Sequence, residues 1–211
     1  MAYRSTLIMD VLKASTAEQH RDAEHRRLQQ ELVSGRIAAP RYAAWLGQMF
    51  LLHASLWQEI VQRRGDHQTL ADVVRDDGRH VANLRADLAM LGADPATVVA
   101  LPATARAIQA IREASSHYPL ALLGHNYVLE GSMNGNRFIA RALARTLAVR
   151  AVAYLDPYGE EQPASWLAYR ERMSAARLDA RQADRVVAAA REMFGSIAGL
   201  SDELMEDPLP A

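Results

Sequence analysis

Leu122-Leu-Gly-His-Asn-Tyr-Val-Leu-Glu-Gly-Ser-Met-Asn-Gly-Asn-Arg-Phe-Ile-Ala-Arg-Ala-Leu143 is the stretch on which the fold turns. Leu122, Leu129, Met133, Phe138, Ile139 and Leu143 recur at helical intervals, and Pro119 stands where a first turn can begin. Yet Gly124, Gly131 and Gly135 interrupt it. Each interior glycine costs a helix about 1 kcal/mol relative to alanine, so three cost roughly 3 kcal/mol. A chain that accepts this wants close backbone approach or a bend. Gly131 and Gly135 share one face, among the short polar groups of Ser132, Asn134 and Asn136. One reading is tight contact with another helix, or a glycine-driven kink. The other is a helix bent over a flat ligand, with backbone against it.

Outward from this stretch the chain reads as all-helical. Alternating β-branched runs are missing, and Asn134-Gly135 has helical rather than hairpin flanks. Helices are expected from Ser5 to about Val33, stopped by Gly35; from Pro40 to Arg64; and from Thr69 to Leu91. Others follow at Ala103 to Ser115, Pro119 to Arg150, Trp166 to Leu178 and Ala180 to Met205, with Asp156-Pro157-Tyr158-Gly159 as a turn. No linker or repeat divides the series, so residues 1–211 are expected to form a single domain.

The 211 residues are half apolar, enough for a sizeable core, and a net charge of −1 gives no reason to expect nucleic acid or an anionic membrane as partner. No apolar run approaches a membrane span and the first residues lack a signal-peptide pattern, so a cytoplasmic protein is expected. The absence of cysteine removes disulfides, thiolate metal sites and cysteine nucleophiles.

Seven histidines lie between His20 and His125. Ile8, Leu12, Thr16, His20, Glu24 and Leu28 form a row of i+4 neighbours, which puts His20 beside an apolar face with Glu24 one turn on. His20 is then either a half-buried histidine bonded to a carbonyl or to Glu24, or a ligand. His25 falls on a wetter side, His53 reads as a core histidine, and His67 and His80 read as surface. Without a Glu-x-x-His pair, a di-iron bundle site is not expected. In Tyr169-Arg170-Glu171-Arg172-Met173, the two arginines lie on different faces, so one can turn inward to an acidic side chain or a ligand carboxylate.

Three segments together resemble the biliverdin-forming heme oxygenases of the bacterial type: Leu12-Lys13-Ala14-Ser15-Thr16 through His20, Tyr127-Val-Leu-Glu-Gly-Ser132 with Gly135, and Tyr169-Arg170-x-Arg172-Met173. The resemblance implies a heme-oxygenase-like helical bundle with a glycine-bent distal helix. It implies that His20 ligates heme iron with Glu24 behind it, and that Gly131 and Gly135 lay backbone above the heme. Ser132 and Asn134 would order distal water, and Arg170 and Lys13 would hold the propionates. The implied reaction opens heme to biliverdin, Fe(II) and CO with dioxygen, on electrons from a ferredoxin, flavodoxin or reductase, in a monomer or weak dimer. The alternative is a protein of the same fold that binds or senses heme, or another flat ligand, without degrading it. Some family members carry aspartate just after the first distal glycine, where this chain has Ser132. His125 is expected to be a packing residue.

Overall fold

A computed structural model describes residues 7–75, 78–146 and 150–206, and among them helices are the only regular structure. Ten α-helices run in order: α1 Ile8–Ser15, α2 Ala17–Glu24, α3 Arg27–Ser34, α4 Ala39–Arg63, α5 Gln68–Val73, α6 Arg79–Met90, α7 Pro102–His117, α8 Leu122–Thr146, α9 Gln162–Ala175 and α10 Ala180–Glu206. Short 3-10 turns at Pro95–Thr97, Pro119–Ala121 and Gly159–Glu161 join them.

The long helices follow their apolar periodicity. On α4, Tyr42, Trp45, Leu46, Met49, Leu52, Leu56 and Ile60 are buried at i, i+3 and i+4 spacings, which makes it a central stave of the bundle. Helices α8 and α10 form the main packing pair, while α7 and α6 flank α4. The core runs through all of them, with Leu12 and Leu28 reaching in from the N-terminal helices. Buried apolar area on this scale, at about 25 cal/mol per Å², is what outweighs the glycine cost within α8.

Two expected helices are broken. The N-terminal segment is three helices rather than one. The Thr16 hydroxyl donates to the Leu12 carbonyl at 2.8 Å, competing with helix continuation, and a second break falls at His25 and Arg26. Ser5, the expected cap, lies outside the described residues. The segment expected as one helix from Thr69 to Leu91 is divided into α5 and α6, with Gly78 at φ +82 just before α6. That left-handed conformation favours glycine and ends helical geometry there. Gly35 closes α3 at φ +68 as expected, and Gly159, the last residue of the predicted turn, sits at φ +52. Helix α8 ends at Thr146 rather than Arg150.

Candidate functional site

The three glycines of α8 do different work. A Cβ at Gly124 would fall far inside contact distance of the Val186 carbonyl oxygen and 2.9 Å from the Ala190 nitrogen. This glycine lets α8 and α10 touch backbone to backbone. Gly131 is different: an added Cβ would meet only the edge of the Trp166 ring, at 3.4 Å. At Gly135 it would meet nothing within 4 Å. The helix-contact reading therefore holds for Gly124, extends to a side-chain contact with α9 at Gly131, and finds nothing at Gly135. Gly135 is exposed, and Gly131 is half-buried beside Trp166 of α9.

The phenol of Tyr127, one turn before Gly131, is made less acidic by burial, an effect eased by nearby Thr16 and the charge of Arg170. This contact ties α8 to the α1–α2 junction and to α9. His20 lies one turn beyond Thr16, so it and Gly131 each stand about 6 Å along their helices from the shared contact. The His20 side chain is half exposed, its Nδ1 is 3.2 Å from a Glu24 carboxylate oxygen, and its ring meets Phe194 of α10 edge-on at 5.4 Å. Nε2 has no hydrogen bond among the described residues. An imidazole held at one nitrogen by a carboxylate, with the other free, is arranged as a metal ligand commonly is.

The remaining expected residues distribute unevenly. Arg170 is exposed on α9, close enough to Tyr127 for their charges to interact, and no acidic side chain pairs with it among the described residues. Lys13 is exposed on α1 and likewise unpaired among them. Both cations can therefore serve an anionic ligand edge. Ser132 and Asn134 turn back on their own helix: the Ser132 hydroxyl donates to the Leu129 carbonyl at 2.8 Å and the Asn134 amide to that of Gly131 at 3.0 Å. Such bonds compete with the helical ladder and commonly bend it. Gln162 donates to Asn134 Oδ1 at 3.3 Å, linking the segment to the start of α9. His125 is buried, and burial lowers its pKa to about 4, so it is neutral. Neither of its ring nitrogens has a partner among the described residues, which fits packing.

Sequence reasoning missed a buried polar cluster behind α8. His80, expected at the surface, is 2% exposed, and its Nε2 is 3.0 Å from Glu130 Oε2. Tyr158 donates to Glu130 Oε1 at 3.0 Å. Burial pushes the Glu130 carboxyl up, but the His80 bond and charge, the Tyr158 bond and the Arg172 charge together carry it below its ordinary value. Nearby, His53 Nε2 and the Tyr154 hydroxyl are 3.0 Å apart, and burial, aided by His80, holds His53 neutral. Asp87 of α6 accepts the backbone N–H groups of Ala153 and Tyr154, fixing that tyrosine. The partners lie 28 to 101 residues apart, so no local spacing betrays them. The one signal was Glu130 itself, a carboxylate inside an apolar helix.

Among the described residues the fold is an all-α helical bundle, with the His20–Glu24 pair on α2 and exposed Gly135 on α8. The sequence model of the heme oxygenase family matches residues 7–203, and the chain belongs to that family. Among solved structures, it is similar to a heme oxygenase from Leptospira interrogans (TM-score 0.86, 20% identity), covering 94% of this chain and all of that one. It is also similar to heme oxygenase-1 of the cyanobacterium Synechocystis in complex with heme (TM-score 0.85, 18% identity, 94% and 92% covered). A domain of unknown function with this fold from Shewanella denitrificans matches at TM-score 0.70 and 16% identity, covering 96% and 93%. No curated protein matches the chain. No helix among the described residues is long and apolar enough to cross a membrane.

Proposed function

We propose that this protein binds heme between His20 and the Gly131–Gly135 face and opens the ring oxidatively to biliverdin, Fe(II) and CO. The observation that carries the reading is a half-exposed histidine whose Nδ1 is already held by Glu24, and the lack of any neighbour within 4 Å of an added Cβ at Gly135 supports it. His20 offers Nε2 to the iron, and Glu24 fixes the ring's orientation and strengthens the nitrogen as a donor. Gly131 and Gly135 let α8 backbone border the ring and deny it a side-chain spacer. Arg170 and Lys13 hold the propionates and thereby set the ring's rotation, with the planar guanidinium of Arg170 suited to a carboxylate. Ser132 and Asn134 order water on that face. The heme supplies the reactivity as both cofactor and substrate, with dioxygen and electrons from a ferredoxin, flavodoxin or reductase. A cytoplasmic monomer or weak dimer suits this chemistry.

One observation favours a second reading, a heme-holding protein of the same fold. The Ser132 hydroxyl and Asn134 amide are committed to α8 carbonyls, so their capacity to order water is reduced. Hemin titration of wild type and His20→Ala, followed by ascorbate or a reductase under air, separates the cases. A stoichiometric Soret band altered in His20→Ala, then conversion to a biliverdin spectrum, supports the enzyme. A Soret band that depends on His20 but survives reductant supports the holder. Absence of heme binding defeats both.

A further inference from the structure

The polar cluster behind α8 meets the helix on both sides of Gly131. Glu130 and Ser132, the residues next to that glycine, stand about 100° to either side of it on the helix. Glu130 is buried, with Oε2 3.0 Å from Nε2 of His80 on α6, and its Oε1 accepts the Tyr158 hydroxyl at 3.0 Å. On the other flank is Tyr154, a phenol made less acidic by burial, an effect eased by nearby Ser132. An added Cβ at Gly131 itself would meet the Trp166 ring edge at 3.4 Å, and neither His53, His80, Tyr154 nor Tyr158 comes within 4 Å of it.

Both tyrosines belong to one segment, residues 151–158, and that segment is itself fastened to α4 and α6. The Tyr42 hydroxyl of α4 donates to the Ala151 carbonyl at 2.7 Å, and the Asn83 amide of α6 donates to the Ala153 carbonyl at 3.0 Å. Asp87 of α6 accepts the Ala153 and Tyr154 amides at 3.0 and 2.8 Å. Tyr154 is fully buried, with its hydroxyl 3.0 Å from Nε2 of His53 on α4. The His53 and His80 rings lie 5.2 Å apart and those of His80 and Tyr158 5.9 Å, so the contacts on the two flanks share one packed cluster. Apolar packing is non-directional, whereas hydrogen bonds weaken steeply when misaligned. Polar contacts on two flanks of one residue therefore resist rotation of the helix about its axis, which apolar contacts alone permit.

We propose that this cluster is a positioning device for the proposed heme site: acting through Glu130 and Ser132, it fixes the rotation of α8 at Gly131 and so sets which backbone face meets the ligand. His80, Tyr154 and Tyr158 are then positioning residues, and His53 holds Tyr154 in place. The consequence for the ligand rests on the heme reading. The hold on the helix does not.

Tyr154→Phe and Tyr158→Phe each remove one oxygen and keep the ring. Hydrogen exchange in the heme-free variants, read at the amides of residues 131–135 against those of α10, tests the hold on the helix. The expected result in each variant is roughly ten-fold faster exchange at 131–135 relative to α10, as the loss of one buried hydrogen bond implies. Equal acceleration everywhere, or none, overturns the proposal, because the cluster is then ordinary packing. The infrared stretch of carbon monoxide on the reduced hemin complex tests the consequence for the ligand. Its band is expected to shift or split in both variants while hemin still binds one to one. A variant that is merely less stable leaves the band where wild type has it, and that result overturns the positioning role. A wild-type chain that takes up no hemin refutes the proposed function instead, and the exchange result alone then decides whether the cluster holds the helix.

Discussion

Alanine at each of the α8 glycines separates a packing glycine from a site glycine by sign. Every such substitution gains about 1 kcal/mol of helix propensity. At Gly135 the new methyl meets nothing within 4 Å, so that gain stands alone. For a chain of this length, 1 kcal/mol corresponds to roughly 2–4 °C in Tm, so Gly135→Ala raises Tm of the heme-free protein by about that amount. At Gly124 the methyl collides with the Val186 carbonyl and the Ala190 nitrogen, which are backbone atoms of the main helix pair and cannot swing aside. Overpacking of this kind costs typically 1–3 kcal/mol and more where backbone must move, which exceeds the propensity gain. Gly124→Ala therefore lowers Tm by several degrees. Under the proposed function the ordering reverses in heme titrations. Gly135→Ala projects its methyl into the proposed heme site and weakens heme binding, while folded Gly124→Ala protein retains it. Differential scanning calorimetry of the apo variants with parallel Soret titrations reads both axes. If Gly135→Ala destabilises the apo protein, or if it binds heme like wild type, the account of that glycine is wrong.

Three other outcomes follow from the buried polar groups. His125 has its pKa lowered from 6.5 to about 4, a depressed folded-state value, so its contribution is present above pH 6.5 and is lost as pH falls towards 4. That contribution amounts to about 3 kcal/mol, and His125→Leu should flatten urea-unfolding stability across this window while leaving neutral-pH stability equal or higher. Glu130→Ala strips His80 and Tyr158 of a shared buried acceptor and removes the charge facing Arg172, at a cost of about 3–5 kcal/mol in chemical denaturation. Glu130→Gln should cost clearly less, and equal losses would mean that the charge is not what matters. Asp87→Ala leaves the N–H groups of Ala153 and Tyr154 unpaired, and a loss of about 2–4 kcal/mol is expected, against little change if solvent reaches them.

The legible parts of the molecule were those decided within one or two helical turns. Helices α4, α7 and α10 followed from apolar periodicity, and the His20–Glu24 pair from an i+4 spacing. The N-terminal helix was drawn too long because its apolar row runs unbroken through Thr16, while the break comes from that residue's hydroxyl bonding to Leu12. Gly78 was passed over within a charged run, although its positive φ divides α5 from α6. His80 looked like surface because Arg79 precedes it and Arg85 follows, whereas its environment is set by Glu130, fifty residues on. The glycines of α8 were seen as a group, but their separate roles depend on what faces each. Val186 faces one and open space another, and only the tertiary arrangement shows this.

The N-terminal segment that carries His20 is built from three helices of eight residues each. Isolated helices shorter than about 12–15 residues are marginal in water, so these owe their order to docking rather than to their own ladders. The middle one buries only Ala23. The free energy needed to detach it is accordingly a small part of the whole, and its amides should exchange with solvent long before those of α4 or α10. Under the proposed function, this is the segment that a bound heme would secure. Heme binding through His20 should then slow amide exchange in α2 more than in α4 or α10.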